Sequence, residues 1–273
     1  MTSQQPASTD RDRWVPYDTS VAHIARVYDY WLGGKDNFAA DREAAEQAIE
    51  VNPDIVVTAR ANRAFLRRAV TYLAREAGIR QFLDIGTGIP TNNNTHEVAQ
   101  RIAPESRIVY VDHDPIVLSH ARALLSSTPQ GRTAYVDADL RAPARILAEA
   151  GPILDFGRPI AVMLVAILHF IARDEDPRGT VRQLVDAVPS GSYLVISHPA
   201  SDIDSGVMND MARRLNQLMV QKATARTRDE VAGFFDGLDL VEPGLVRVPD
   251  WRPESEIEAA PRCAMWAAIG RKP

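Results

Sequence analysis

Hydrophobic positions change period part-way along this chain. Between Ser20 and Leu32, Ile24, Val27, Tyr28 and Trp31 recur at helical spacing, and Gly33-Gly34 follows as a stop signal. A second helix is predicted to start near Asp41. From Asp54 to Ala77, the residues Ile55, Ala59, Leu66, Ala69, Val70 and Leu73 share one face before Gly78. From Gln81 onward short apolar strands alternate with capped helices, the pattern of βαβ units around a parallel sheet.

The first strand is predicted at Gln81 to Ile85, and its helix opens at Asn94, whose side chain can cap while Glu97 reaches back. The second is Arg107 to Val111, after which Asp114-Pro115 supplies a cap and a first-turn proline for a helix through Leu125. Thr133 to Val136 makes the third. The fourth, Ile160 to Ile167, is apolar throughout, as a central strand covered on both faces should be. Tyr193 to Ser197 is the fifth. Val207, Met208, Met211, Leu215, Leu218 and Met219 then form a helical stripe, safest read as core-facing, and another helix is predicted near Arg228 to Phe235. Two late strands, about Leu240 to Val248 and Ala264 to Ile269, complete an α/β domain with a seven-stranded, mostly parallel sheet and helices on both faces. The layout predicted is a flexible tail over 1–17, an N-terminal helical extension or lid over 18–78 and the main domain over 79–273.

Composition narrows the classes. With 273 residues, 45% of them apolar, a sizeable core can form. Met1 to Arg13 lacks the apolar stretch of a secretory signal, and the longest charge-free apolar run, Pro159 to Ala172, is shorter than the roughly 20 residues of a membrane-spanning helix. Neither a membrane nor secretion is expected. A lone cysteine, Cys263, excludes an intramolecular disulfide and a multi-cysteine metal site, which points to a cytoplasmic setting. Net charge is -5, and the 28 Arg and 3 Lys are spread without a basic tract, so nucleic acid is not expected as a partner. His23, His96, His113, His120, His169 and His198 are scattered without paired ligand spacing, and no metal site is expected. No Walker A sequence or Gly-x-Ser-x-Gly elbow appears.

Candidate chemistry gathers at the ends of the predicted strands. Asp84-Ile85-Gly86-Thr87-Gly88-Ile89-Pro90 sits where the first strand meets a helix, and its glycines let the backbone turn tightly and approach a nucleotide-like cofactor. A plain glycine-rich turn is the alternative. A dinucleotide fingerprint wants a third glycine where Thr91 stands, which weakens a nicotinamide reading. Asp112, followed by His113, lies about 20 residues further on, where a carboxylate can accept both ribose hydroxyls. Asp139, followed by Leu140, can accept from an adenine amino group or merely cap a loop. His169 ends the fourth strand, where open α/β sheets bind ligands, and is either a general base or a satisfied buried histidine. Tyr28, Tyr30, Trp31, Lys35, Asp36, Asn37 and Arg42 crowd the extension, suiting a substrate-contacting lid or a helix packed on the sheet.

Taken together, acid-x-Gly-x-Gly after strand one and single acids after strands two and three resemble motifs I to III of class I S-adenosylmethionine-dependent methyltransferases. Pro90 stands where motif I usually has its third glycine, though it suits a first helical turn. Arg26 to Phe38, Phe82 to Pro90, Asn94 to Val98 and Val111 to Pro115 are similar to a bacterial methyltransferase family long known only as a domain of unknown function. The resemblance spans about residues 18 to 270. It implies a Rossmann-like fold, S-adenosylmethionine as cofactor held by Asp84, Gly86, Thr87, Gly88, Asp112, His113, Asp139 and Leu140, and 79–273 as the methyltransferase domain. The acceptor is expected to be a small molecule, touched by Tyr28, Tyr30, Trp31, Lys35 and Asn37. The alternatives are a non-enzymatic S-adenosylmethionine-binding regulator and, more remotely, a nicotinamide-dependent oxidoreductase.

Overall fold

A computed structural model describes residues 18–124, 127–219, 221–259 and 262–273. The tail expected over 1–17 and Leu125, the expected end of one helix, lie outside these residues. The amphipathic N-terminal segments form α1 (Ile24–Trp31), α2 (Ala39–Val51) and α3 (Ile55–Arg75). The alternating region then gives β1 (Gln81–Ile85), α4 (Thr95–Ile102), β2 (Arg107–Asp112), α5 (Pro115–Leu124), β3 (Arg132–Asp137), α6 (Pro143–Ala150), β4 (Ala161–Val165), α7 (Pro177–Asp186) and β5 (Tyr193–Pro199). The chain closes with α8 (Ser205–Leu218), α9 (Arg228–Ala232), β6 (Asp239–Leu240), β7 (Val246–Arg247), α10 (Glu256–Ala259) and β8 (Met265–Arg271).

Among the described residues the sheet has eight strands, not seven. Its path is β3-β2-β1-β4-β5-β8-β6, parallel from β3 to β5, with β8 antiparallel to β5 and both β6 and β7 paired to β8. The extra strand arises because the stretch expected as one strand from Leu240 to Val248 is interrupted. Pro243 has no N–H for a ladder and Gly244 takes φ +84°, so only short pieces on either side pair with β8. The fourth strand is likewise shorter than expected: the backbone leaves the ladder at Ala166, where φ is +55°.

Alternation along the strands feeds two cores. Leu83, Ile85, Val109, Val111, Val162 and Leu164 face α6 and α7, whereas Phe82, Ile108 and Met163 face α3 and α4 through Phe65, Leu66, Leu73 and Val98. A third cluster joins Val27 and Trp31 of α1 and Ala45 and Ala48 of α2 to Met208, Met211 and Leu215 of α8. That cluster seats the N-terminal extension. Chain order reverses beside β1, since β2 and β3 extend the sheet one way and β4 the other. A crevice at the carboxyl ends of β1 and β4 follows from this topology.

Candidate functional site

The crevice is a cavity of about 550 Å³, within the size range of small-molecule sites. Its floor is the loops after β1 to β4 and Pro199 at the end of β5. Its cover is α1, α3 and α8.

At the end of β1 the chain turns through Gly86 at φ +74° and Gly88 at φ +64°. A Cβ on Gly86 would stand 2.3 Å from Cγ1 of Ile167, whereas one on Gly88 would meet nothing within 4 Å. Gly86 therefore permits packing against the loop after β4, and Gly88 leaves space open. Asp84, buried beneath the turn, accepts the Thr95 hydroxyl at 2.6 Å. Burial pushes its carboxyl up to about 6, against that hydrogen bond and the Arg63 charge. At the end of β2, Asp112 accepts the Gly88 N–H on Oδ2 and the Asp114 N–H on Oδ1, both at 3.0 Å. Burial outweighs these bonds and also raises its carboxyl. Asp114 caps α5 through the Ile116 N–H, and Asn94 receives the Glu97 carboxylate at its own N–H, as the capping signals implied. The Asn94 side chain itself turns back to Thr91.

After β3, Asp139 lines the cavity while its carboxylate accepts the Arg141 N–H at 2.8 Å. Leu140 is buried beside it. Thr87 lines the cavity between the two glycines, and exposed His113 lies 3.2 Å from the Gln221 amide. Beyond β4, His169 lines the cavity with its ring 3.9 Å from that of Phe170, and its Nδ1 is enclosed without a partner. Burial, then His198 and the Arg226 charge, hold His169 well below the usual histidine range, so it is neutral.

The residues singled out in the extension divide. Tyr28 and Trp31 line the cavity; Tyr30, Lys35 and Asn37 do not. Trp31 is buried, its Nε1 donating to the Ala45 carbonyl at 3.3 Å. The Tyr30 hydroxyl reaches Glu46, Asn37 donates to Asp29 at 2.9 Å, and Lys35 is exposed. His23 stands 2.8 Å from Asp114, so the start of α1 rests on the loop after β2.

Several cavity residues escaped the sequence reading. Asn62 of α3 donates to the Tyr28 hydroxyl at 3.0 Å and accepts from Ser197 at 2.6 Å. A polar residue on an otherwise apolar helix face was its only signal. Ile167 had none, because Gly86, on which it packs, lies in a distant segment, whereas Asp29 is held locally by Asp36 and Asn37.

The model of a family described as S-adenosyl methyltransferase matches residues 11–273. A DUF574 family protein from Streptomyces avermitilis MA-4680 is similar in crystal structure, 49% identical, with 94% of this chain and 99% of that chain covered and a TM-score of 0.91. A candidate methyltransferase from Thermobifida fusca YX is 42% identical over 96% of this chain and 99% of its own, with a TM-score of 0.85. An O-methyltransferase family protein from Burkholderia thailandensis is 16% identical, covers 80% of this chain and 58% of that chain at a TM-score of 0.54, and speaks for the fold alone. No protein with a curated description matches.

Proposed function

We propose, from the premise that this chain belongs to the S-adenosyl methyltransferase family, that its cavity holds S-adenosylmethionine across the ends of β1 to β3 and a small-molecule acceptor over β4 and β5. The protein is an S-adenosylmethionine-dependent methyltransferase, and the nicotinamide alternative falls with the family match. When bound, the cofactor supplies a methyl group carried on a sulfonium sulfur.

The donor set suits such a cation. Asp84 and Asp112 both line the cavity and neither is ion-paired to a described residue, so a ligand bearing positive charge relieves one buried and one half-buried carboxylate. The observation that carries the assignment is Asp112: its two backbone bonds fix the carboxylate and leave lone pairs for ribose hydroxyls. Asp84 takes the ammonium end, the Gly86-Thr87-Gly88 backbone lies against the middle of the ligand, and Asp139 with Leu140 and His113 frame the base. Neutral His169 is assigned as acceptor of the proton released by the substrate. Tyr28 and Trp31 contribute to the cover, which we take to open for exchange of ligands; Tyr30, Lys35 and Asn37 brace it from outside the cavity. Enclosure under α1, α3 and α8 favours a small acceptor over a polymer. A cytoplasmic setting fits the single buried, free cysteine.

The test is transfer of label from methyl-tritiated S-adenosylmethionine to fractionated small-molecule extracts. Label should appear in low-mass products. Transfer to macromolecules alone would rule out the small acceptor.

A further inference from the structure

The two ends of the cavity differ in chemistry. Asp84, Asp112 and Asp139 line the end over β1 to β3. Over β4 and β5 the wall is instead Met208, Met211 and Leu215 of α8 and Met219 just beyond it, with Leu66 of α3 and Met265 of β8, none of them more than 7% exposed. The Asn52 amide lies behind this wall, against the sulfurs of Met208 and Met211.

Most polar groups at this end already have protein partners. Asn62 is used on both sides by Tyr28 and Ser197, and the Tyr28 hydroxyl donates to the Ala59 carbonyl at 3.1 Å. Asp29 turns into its own loop, accepting both the Asp36 N–H and the Asn37 amide on Oδ2 at 2.9 Å. The Lys222 ammonium is held by the carbonyls of Asn216 and Met219. An ion seated on the methionines would lose its hydration against side chains that carry no charge of their own. An apolar ring would not, and unbranched thioether side chains adapt to its outline and make favourable sulfur contacts at its edge. His169 lines the same cavity, and its carbonyl accepts the Thr224 N–H at 2.7 Å, which holds the segment after α8 against it.

We propose that the acceptor is an uncharged molecule with a flat, apolar body and a hydroxyl group, an aromatic alcohol in class, seated between the α8 methionines and His169. This rests on the reading that the cofactor occupies the end over β1 to β3.

The test uses the full-length protein saturated with S-adenosylhomocysteine and three probes: 2-naphthol, 2-naphthoate and 2-naphthylmethylammonium. Titration should show saturable binding of 2-naphthol, at least about tenfold tighter than either ion. Met211→Lys should weaken 2-naphthol by about tenfold or more and Met211→Leu by little, both keeping the affinity for S-adenosylhomocysteine, which also reports that the variants fold. Equal or tighter binding of either ion, no binding of any probe, or indifference of 2-naphthol to Met211→Lys in a folded variant overturns the proposal. Failure of S-adenosylhomocysteine to bind the wild-type protein would instead remove the cofactor reading beneath it.

Discussion

The backbone N–H of Gly88 donates to Oδ2 of Asp112 at 3.0 Å, tying the glycine turn after β1 to the acid after β2. One side chain thus shapes both halves of the proposed ribose site. Asp112→Ala removes that tie and a charged acceptor together, and loss of a hydrogen bond to a charged group costs about 1.5–3 kcal/mol. We expect S-adenosylhomocysteine to bind about ten- to hundredfold more weakly by calorimetry, with the fold retained because no core cavity opens. An unchanged dissociation constant would place the ribose elsewhere.

Asp84 should link cofactor binding to stability through pH. Its carboxyl is raised from 3.8 to about 6 by burial. A raised carboxyl favours the protonated native state, so the stabilisation is complete below the unfolded value and is lost as pH rises through about 6. Above that pH the apo protein carries an unfavourable buried charge. Asp84→Asn should therefore stabilise the apo protein at pH 7.5 by about 1–3 kcal/mol, shown by chemical denaturation, while weakening S-adenosylmethionine. Wild-type affinity should also fall as pH drops below about 6. A destabilised Asn variant, or affinity flat from pH 5 to 8, would contradict the assignment.

The two glycines of the turn should respond differently. At Gly86 an added methyl would collide with Ile167, so Gly86→Ala should lower the melting temperature of the apo protein. Gly88→Ala meets open space and bears only the cost of its positive φ, about 1–2 kcal/mol. Its larger effect should be on cofactor affinity. Thermal unfolding and titration of both variants separate the two; the reverse ranking in stability would mean that the β4 loop does not press on the turn.

Much of this arrangement was legible because it is local. Strands, caps and the acids that follow strands announce themselves within a few residues, as at Asp84, Asp112, Asp114 and Asp139. What failed depended on distant partners. Ile160 to Ile167 reads as continuous strand, and nothing nearby reveals that Ala166 turns to φ +55° so that Ile167 can meet Gly86. The split of the late strand was marked by Pro243-Gly244, yet reading it as two pairings required knowing that β8 runs alongside. Trp31 and Tyr28 showed helical spacing, but their separation from Tyr30, Lys35 and Asn37 at the cavity follows from how α1 meets α3 and α8.

Arg226 illustrates the same limit and yields a further expectation. Buried beside β5, its guanidinium donates to the carbonyls of Leu168 and Ile171 at 3.0 and 2.7 Å and lies 2.9 Å from Nε2 of His198. A guanidinium can only donate, so Nε2 must accept and the His198 proton sits on Nδ1, facing the Pro199 carbonyl at 2.9 Å. Burial, outweighing that carbonyl bond, and the Arg226 charge push His198 down to about 3, with Arg173 and Glu230 the other nearby charges. Long-range proton–nitrogen NMR should show a neutral Nδ1–H tautomer persisting at pH 5, and Arg226→Met should raise the titration midpoint and loosen residues 168–171. An Nε2–H tautomer, or titration near 6.5 in the wild type, would contradict this geometry.

The central claim, that acids and glycines at the ends of β1 to β3 form a cofactor site, is tested most directly by calorimetric titration of the full-length protein with S-adenosylhomocysteine, with NAD as the comparison. One site per chain, saturable, with no heat from NAD, is the result predicted. No heat from S-adenosylhomocysteine alongside saturable binding of NAD would contradict it.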